Sequence, residues 1–279
     1  MNQYHKTNPV NDKYFSIIDT QNKAYILGLL LADGHVEKNR NGVSLSLSGE
    51  RDKYILQEIV KELFINDYEL CCNKKSRKNS HHNDAYMFWL SSKQISSDLI
   101  SFGFSNKKTE RCEFEFSKIP PNLFPHFLRG FFDGDGSIFV TKYNSVNVHF
   151  VGLPNIIRYI HSYLKNNDIV SAIYPCYSSH TVNELRIGNI HEIKKFYDLI
   201  YKDAVLFLER KKSKFEYGFD ILKSELNRKF TSRFIGVCFD KNRNKWKAAI
   251  SLNNKPINIG RFNTENEAAI AYNLSLIHI

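Results

Sequence analysis

Two hydrophobic rhythms alternate along this chain, and the alternation happens twice. From Ile26 to Ala32 every residue is apolar or glycine, and the run closes on Asp33-Gly34; Leu128-Arg129-Gly130-Phe131-Phe132 closes in the same way on Asp133-Gly134-Asp135-Gly136. A glycine followed four residues later by a small residue predicts a helix whose backbone closely approaches a second helix, with Asp-Gly as its stop. After Gly34 the period drops to two. Val43, Leu45 and Leu47 alternate with Ser44, Ser46 and Ser48, a half-buried strand entered through a turn at 39–42. Ile55, Leu56, Ile59, Val60, Leu63 and Phe64 return to helical spacing, strands follow near 68–74 and 85–91, and a helix with Ile95, Leu99 and Ile100 closes the unit.

The second half repeats this order. A helix ending at Asp135 leads to strands at 138–142 and 146–151 and a helix face of Ile156, Ile157, Ile160 and Leu164. Strands near 172–177 and 184–187 and a helix with Ile193, Phe196, Tyr197 and Ile200 complete it. Lys107-Lys108 and Lys211-Lys212 follow the last helix of each unit at nearly the same offset that separates Asp33 from Asp135, as an internal duplication requires. The remainder differs. Arg228 to Ser232 reads as a linker, three short strands lie at 234–239, 246–252 and 257–262, and Thr264 with Glu267 makes a capping box for a final helix. The pattern predicts an α+β fold: repeats at 1–116 and 117–227, each helix, two strands, helix, two strands, helix, and a small sheet-and-helix module at 228–279.

With 39 Lys+Arg against 29 Asp+Glu, the formal charge is +10 and the pI about 9.2, which points to a polyanion, nucleic acid before membrane. Cys71, Cys72, Cys112, Cys176 and Cys238 form no C-x-x-C pair, and with His81 and His82 they fit no usual zinc spacing, so reduced intracellular thiols are expected. No apolar run approaches membrane-spanning length, and the expectation is a soluble, intracellular protein.

Asp33 and Asp135 change this picture most. A carboxylate at a helix C-terminus sits where the dipole is already negative. One so placed is costly; two side by side make a cation site, suited to magnesium or manganese and to substrate phosphate. A basic protein holding such ions on nucleic acid can hydrolyse a phosphodiester.

The paired stretches resemble the two signature motifs of single-chain LAGLIDADG homing endonucleases, over roughly Tyr14 to Tyr217. The resemblance implies duplicated αββαββα units forming a pseudo-two-fold saddle, with the motif helices at the interface and the sheets in the DNA major groove. It implies that Asp33 and Asp135 bind metal and cut one strand each, leaving staggered ends, in a monomer encoded by a mobile element of a phage, bacterial or organellar genome and acting on a long asymmetric double-stranded target. It assigns a catalytic basic residue to each half, Lys107 and Lys211, with Lys108 and Lys212 as alternatives. Asp133 stands at the sixth motif position, where the first repeat has Leu31, a position more structural than catalytic in the family. Arg129 replaces a usually small residue and is expected to face outward. An RNA-splicing maturase or a non-cleaving DNA-binding protein on the same scaffold is the alternative.

A two-stranded ribbon fits the major groove, so the polar strand faces should meet bases: Ser44, Ser46, Ser48, Asn147, His149 and Arg186. Lys38, Arg40, Lys74, Lys75, Arg77, Lys78 and Lys142 fall in turns that could hold phosphates. The last module resembles the ethylene-response-factor type of DNA-binding domain, with Arg243, Lys245, Trp246, Lys247 and Arg261 as the matching contacts. The chain stops at Ile279, earlier than that family's helix and tail usually do.

Overall fold

Thr20 opens the first helix by accepting the Lys23 amide, and α1 (Gln21–Asp33) then buries nearly every side chain from Ala24 to Ala32. The computed structural model describes residues 8–73, 84–105, 113–141, 145–176, 181–229, 231–252 and 255–277. The chain divides into two compact units, Met1–Gly218 and Phe219–Ile279.

In the first unit the duplication is explicit. One repeat runs α1, β1 (Gly34–Glu37), β2 (Gly42–Ser48), α2 (Lys53–Leu63), β3 (Cys71–Asn73), β4 (Ala85–Ser91) and α3 (Lys93–Ser101). The other runs α4 (Phe124–Asp135), β5 (Gly136–Val140), β6 (Val146–Gly152), α5 (Pro154–Asn166), β7 (Ala172–Pro175), β8 (Asn183–Ile187) and α6 (Ile190–Tyr201). Both sheets are antiparallel, ordered β1-β2-β4-β3 and β5-β6-β8-β7. Each covers one face with its own helices, and burial alternates as a one-sided sheet requires: Val43, Leu45 and Leu47 are buried, as are Val146, Val148 and Phe150.

Helices α1 and α4 form the seam between the repeats. A β-carbon built on Gly28 would lie 2.0 Å from the Phe127 carbonyl oxygen, and one on Gly130 would lie 2.0 Å from that of Tyr25. Each glycine thus faces the residue three before the other, a local two-fold relation. Gly34 and Gly136 follow these helices in extended conformation (φ −71° and −87°), so glycine is needed there for space rather than for a left-handed turn. The connector between the repeats packs aromatically on the second: Phe114 lies 5.3 Å from Phe127, and Phe116 stacks 3.8 Å from Tyr159.

Two expectations are corrected. A 21-residue helix, α7 (Glu209–Lys229), occupies the stretch from the second basic pair into the expected linker. Arg129 does not face outward: it is fully buried, because carbonyls from the end of the second repeat come within reach of its guanidinium.

In the second unit, β9 (Val237–Asp240), β10 (Lys245–Leu252) and β11 (Lys255–Phe262) form a sheet in the order β11-β10-β9, covered by α8 (Glu265–Ile277). Val237, Ala248, Ala268 and Ala269 make its core, with Phe234, Trp246, Ile259, Phe262 and Tyr272 packed around them. Thr264 and Glu267 cap α8 reciprocally. Gly236 (φ +74°) leaves the space that the Tyr272 ring fills.

Candidate active site and nucleic-acid interface

The close approach of α1 and α4 continues to their last turns. A β-carbon on Gly134 would stand 2.2 Å from Cβ of Ala32 and 3.1 Å from Oδ2 of Asp33, so the Asp33 carboxylate lies against the backbone of the residue next to Asp135. Both aspartates are exposed, and both line one cleft of about 300 Å³. His35, Ser105, Gly152 and Thr181 are on its wall, so both repeats contribute. Two carboxylates that open together on a cleft fit a hard divalent cation that also takes phosphate oxygen and water. Among the described residues no group of three or more His, Cys, Asp or Glu converges as a metal cluster.

Behind the cleft lies a buried charged network. Lys211, in the first turn of α7, is 4% exposed, and its ammonium donates to the carbonyls of Phe132 (2.5 Å), Gly136 (2.6 Å) and, more weakly, Gly134 (3.4 Å). These carbonyls end α4, so the lysine opposes the negative helix terminus that makes Asp135 an unusual stop. Burial pushes its pKa down to about 8, against the opposing pull of Asp133, Asp33 and Asp135.

Asp133 is fully buried and accepts from the Tyr25 hydroxyl and the Leu208 amide, each at 2.8 Å. Burial pushes its pKa up to about 6, opposed by the charge of Lys211 and by these two donors. Arg129 donates through Nε to the Leu206 carbonyl and through Nη1 to that of Ile200, both at 2.7 Å, and meets Nδ1 of His126. First-repeat groups hold the same segment. Tyr54 accepts from the Glu209 amide, and Asp52 pairs with Arg210 at 2.7 Å. Lys212 lies beside this network, 3.9 Å from Glu216 and over the Phe207 ring. Lys107 and Lys108 lie outside the described residues.

The sheet faces turned away from the helices carry the strand residues singled out above. Ser44, Ser46 and Ser48 pair with Trp89, Met87 and Ala85, and cross-strand partners share a face. In the second sheet Asn147 pairs with Phe139, and His149 pairs with Ser137 and Arg186. The pattern of serines and basic residues did not announce Glu184, which lies on this second face between His149 and Arg186. It contacts the imidazole and holds the guanidinium at 2.6 Å, and that hydrogen bond draws its carboxyl below the usual range. Arg186 also lies over the Tyr174 ring at 4.7 Å. Lys38 and Arg40 are in the turn joining β1 to β2, Arg40 3.5 Å from Glu37. Lys74, Lys75, Arg77, Lys78 and Lys142 lie outside the described residues.

In the second unit Lys247 pairs with Arg261 and Lys245 with Asp240, so these side chains share the sheet face opposite Ala248. Arg261 is tied to Asp240 at 3.0 Å, and Arg243 lies in the adjoining turn. Trp246, expected among these contacts, alternates to the other side and packs on the core, edge-on to Phe239.

A duplicated αββαββα scaffold with a carboxylate at the end of each seam helix defines the class. The sequence pattern of the LAGLIDADG-like domain matches residues 20–96 and 126–201, more than half of the chain, which therefore belongs to that family. Three solved structures are similar in fold. The homing endonuclease I-WcaI bound to its DNA recognition sequence is 13% identical, covers 76% of this chain and 94% of its own, and has a TM-score of 0.53. The I-LtrWI LAGLIDADG homing endonuclease bound to target DNA is 17% identical, with 77% and 92% covered and a TM-score of 0.49. Full-length DUF199/WhiA from Thermatoga maritima is 16% identical, with 78% and 71% covered and a TM-score of 0.46. No curated protein matches the sequence. Among the described residues no helix is long and apolar enough to cross a membrane.

Proposed function

We propose that the chain is a site-specific endonuclease that hydrolyses both strands of double-stranded DNA with a divalent metal, magnesium or manganese. The observation that carries this reading is the opening of Asp33 and Asp135, last residues of two seam helices, on one cleft. Asp33 and Asp135 would hold the metal, which when bound supplies an activated water and stabilises charge on the leaving oxygen. The sheet faces bind and orient the duplex through Ser44, Ser46, Ser48, Asn147, His149 and Arg186. Lys211 adds buried positive charge beside the carboxylates, where a low dielectric strengthens its field.

The presence of both carboxylates in one chain supports action as a monomer. The unlike faces, serine-rich in one repeat and His-Glu-Arg in the other, support a long asymmetric target. One acidic residue per strand is consistent with staggered ends and with homing of a mobile element. The last module, 228–279, is read as an ethylene-response-factor-like domain that adds phosphate and base contacts through Lys245, Lys247, Arg261 and Arg243.

The test is selection of cleaved sites from a library of double-stranded DNA that includes the sequence flanking the gene, with magnesium present. Wild type should yield one enriched site cut on both strands, while Asp33→Asn and Asp135→Asn should bind it without cutting. Wild-type cutting by either variant removes the assignment. Binding without cutting in any metal would make the chain a maturase or a non-cleaving DNA-binding protein.

A further inference from the structure

The ammonium of Lys211 has three donors and spends them on the carbonyls of Phe132, three residues before Asp135, and of Gly134 and Gly136, which flank it. Its segment is fixed from several directions. The Leu208 amide is held by Asp133, the Glu209 amide by Tyr54 and the Arg210 side chain by Asp52. Asp133 in turn receives the Tyr25 hydroxyl from the opposite seam helix. Tyr25, Tyr54 and Asp52 belong to the first repeat, so groups from both repeats fix the segment that carries Lys211.

We propose that Lys211 and Asp133 are positioning residues rather than contacts to DNA: Lys211 clamps the last turn of α4 so that Asp135 is held in metal-binding geometry, and Asp133 holds Lys211 in place. This rests on the metal-dependent reading of Asp33 and Asp135. Outer groups that orient a metal ligand change metal affinity by about 10- to 100-fold when removed. A lysine that instead touched the scissile phosphate would leave metal affinity in the absence of DNA unchanged.

The experiment is Mn²⁺ titration of the full-length chain without DNA, followed by electron paramagnetic resonance, for wild type, Lys211→Met, Lys211→Arg, Asp133→Asn and Asp135→Asn. Thermal unfolding and metal-free DNA binding are measured alongside. The expected result is Mn²⁺ affinity at least tenfold weaker in Lys211→Met and in Asp133→Asn. Partial recovery is expected in Lys211→Arg, which keeps the cation, and DNA binding without metal should be preserved. Wild-type Mn²⁺ affinity in a folded Lys211→Met or Asp133→Asn overturns the inference alone. If Lys211→Met does not fold, Asp133→Asn decides by the same criterion. A wild-type chain whose Mn²⁺ binding is unaffected by Asp135→Asn overturns this inference together with the functional reading on which it rests.

Discussion

Gly130 faces the carbonyl oxygen of Tyr25 so closely that a β-carbon at position 130 would stand 2.0 Å from it. Gly28 stands in the same relation to Phe127. No rotamer change relieves such a contact, because the obstacle is backbone. Gly28→Ala or Gly130→Ala must push the two helices apart along a buried seam, and overpacking of this kind costs about 3 kcal/mol. Urea denaturation should show a lower midpoint with unchanged slope for each variant. Midpoints within error of wild type would mean that the seam does not need this close approach.

Among the described residues Arg129 is the largest fully buried side chain, and it bonds two carbonyls, of Ile200 and Leu206. Arg129→Met keeps much of the volume, removes both donors and takes away a positive charge near Asp133. Breaking one side of a buried charged network costs about 3–5 kcal/mol. Arg129→Lys should also be destabilised, because a single ammonium cannot reproduce the planar fork that reaches both carbonyls and His126. Equilibrium unfolding of the three proteins checks the ranking, arginine above lysine above methionine.

Much of this architecture is legible in the sequence because each seam helix announces itself by glycine spacing and each strand by alternation. Ser44, Ser46 and Ser48 lie on one face simply because they alternate with Val43, Leu45 and Leu47. Helix α7 is not legible by that rule. Among its described side chains the buried positions are Lys211, Phe215 and Gly218, a helical facet on which only one residue looks like core. Arg129 is hidden for a related reason: the carbonyls that justify burying it arrive from residues 200 and 206, far along the chain. The basic pair at 211 is visible as charge, but its task at the end of α4 depends on tertiary contacts. Trp246 reads as a contact beside Lys245 and Lys247, yet strand alternation sends it to the core side.

Glu184 places a carboxylate on the sheet face proposed to meet DNA, where it holds Arg186 and contacts His149. Glu184→Gln removes a negative charge facing the phosphates and frees the guanidinium from its ion pair. Non-specific affinity for double-stranded DNA should rise, and the slope of log affinity against log salt should steepen by about one contact. Fluorescence anisotropy at several salt concentrations measures both quantities. An unchanged slope would mean that this face does not approach the phosphates.

Asp133 gives the native state a pH dependence of predictable sign. Its carboxyl is held at about 6 in the folded protein, chiefly by burial, whereas an unfolded aspartate titrates near 3.9. Between those values the native state keeps a proton that the unfolded chain has released. Stability from this group therefore falls as pH rises from about 4 to about 6, and is level above that. A shift of two units corresponds to about 3 kcal/mol. Other carboxylates titrate in the same window, so the informative quantity is the difference between wild type and Asp133→Asn, which cannot ionise there. Urea denaturation at pH 4, 5, 6 and 7 should show wild type losing about 2 kcal/mol relative to the variant across the series, the rest of the difference lying below pH 4. A difference that stays constant with pH would mean that Asp133 is ionised throughout, with Lys211 offsetting its burial in full.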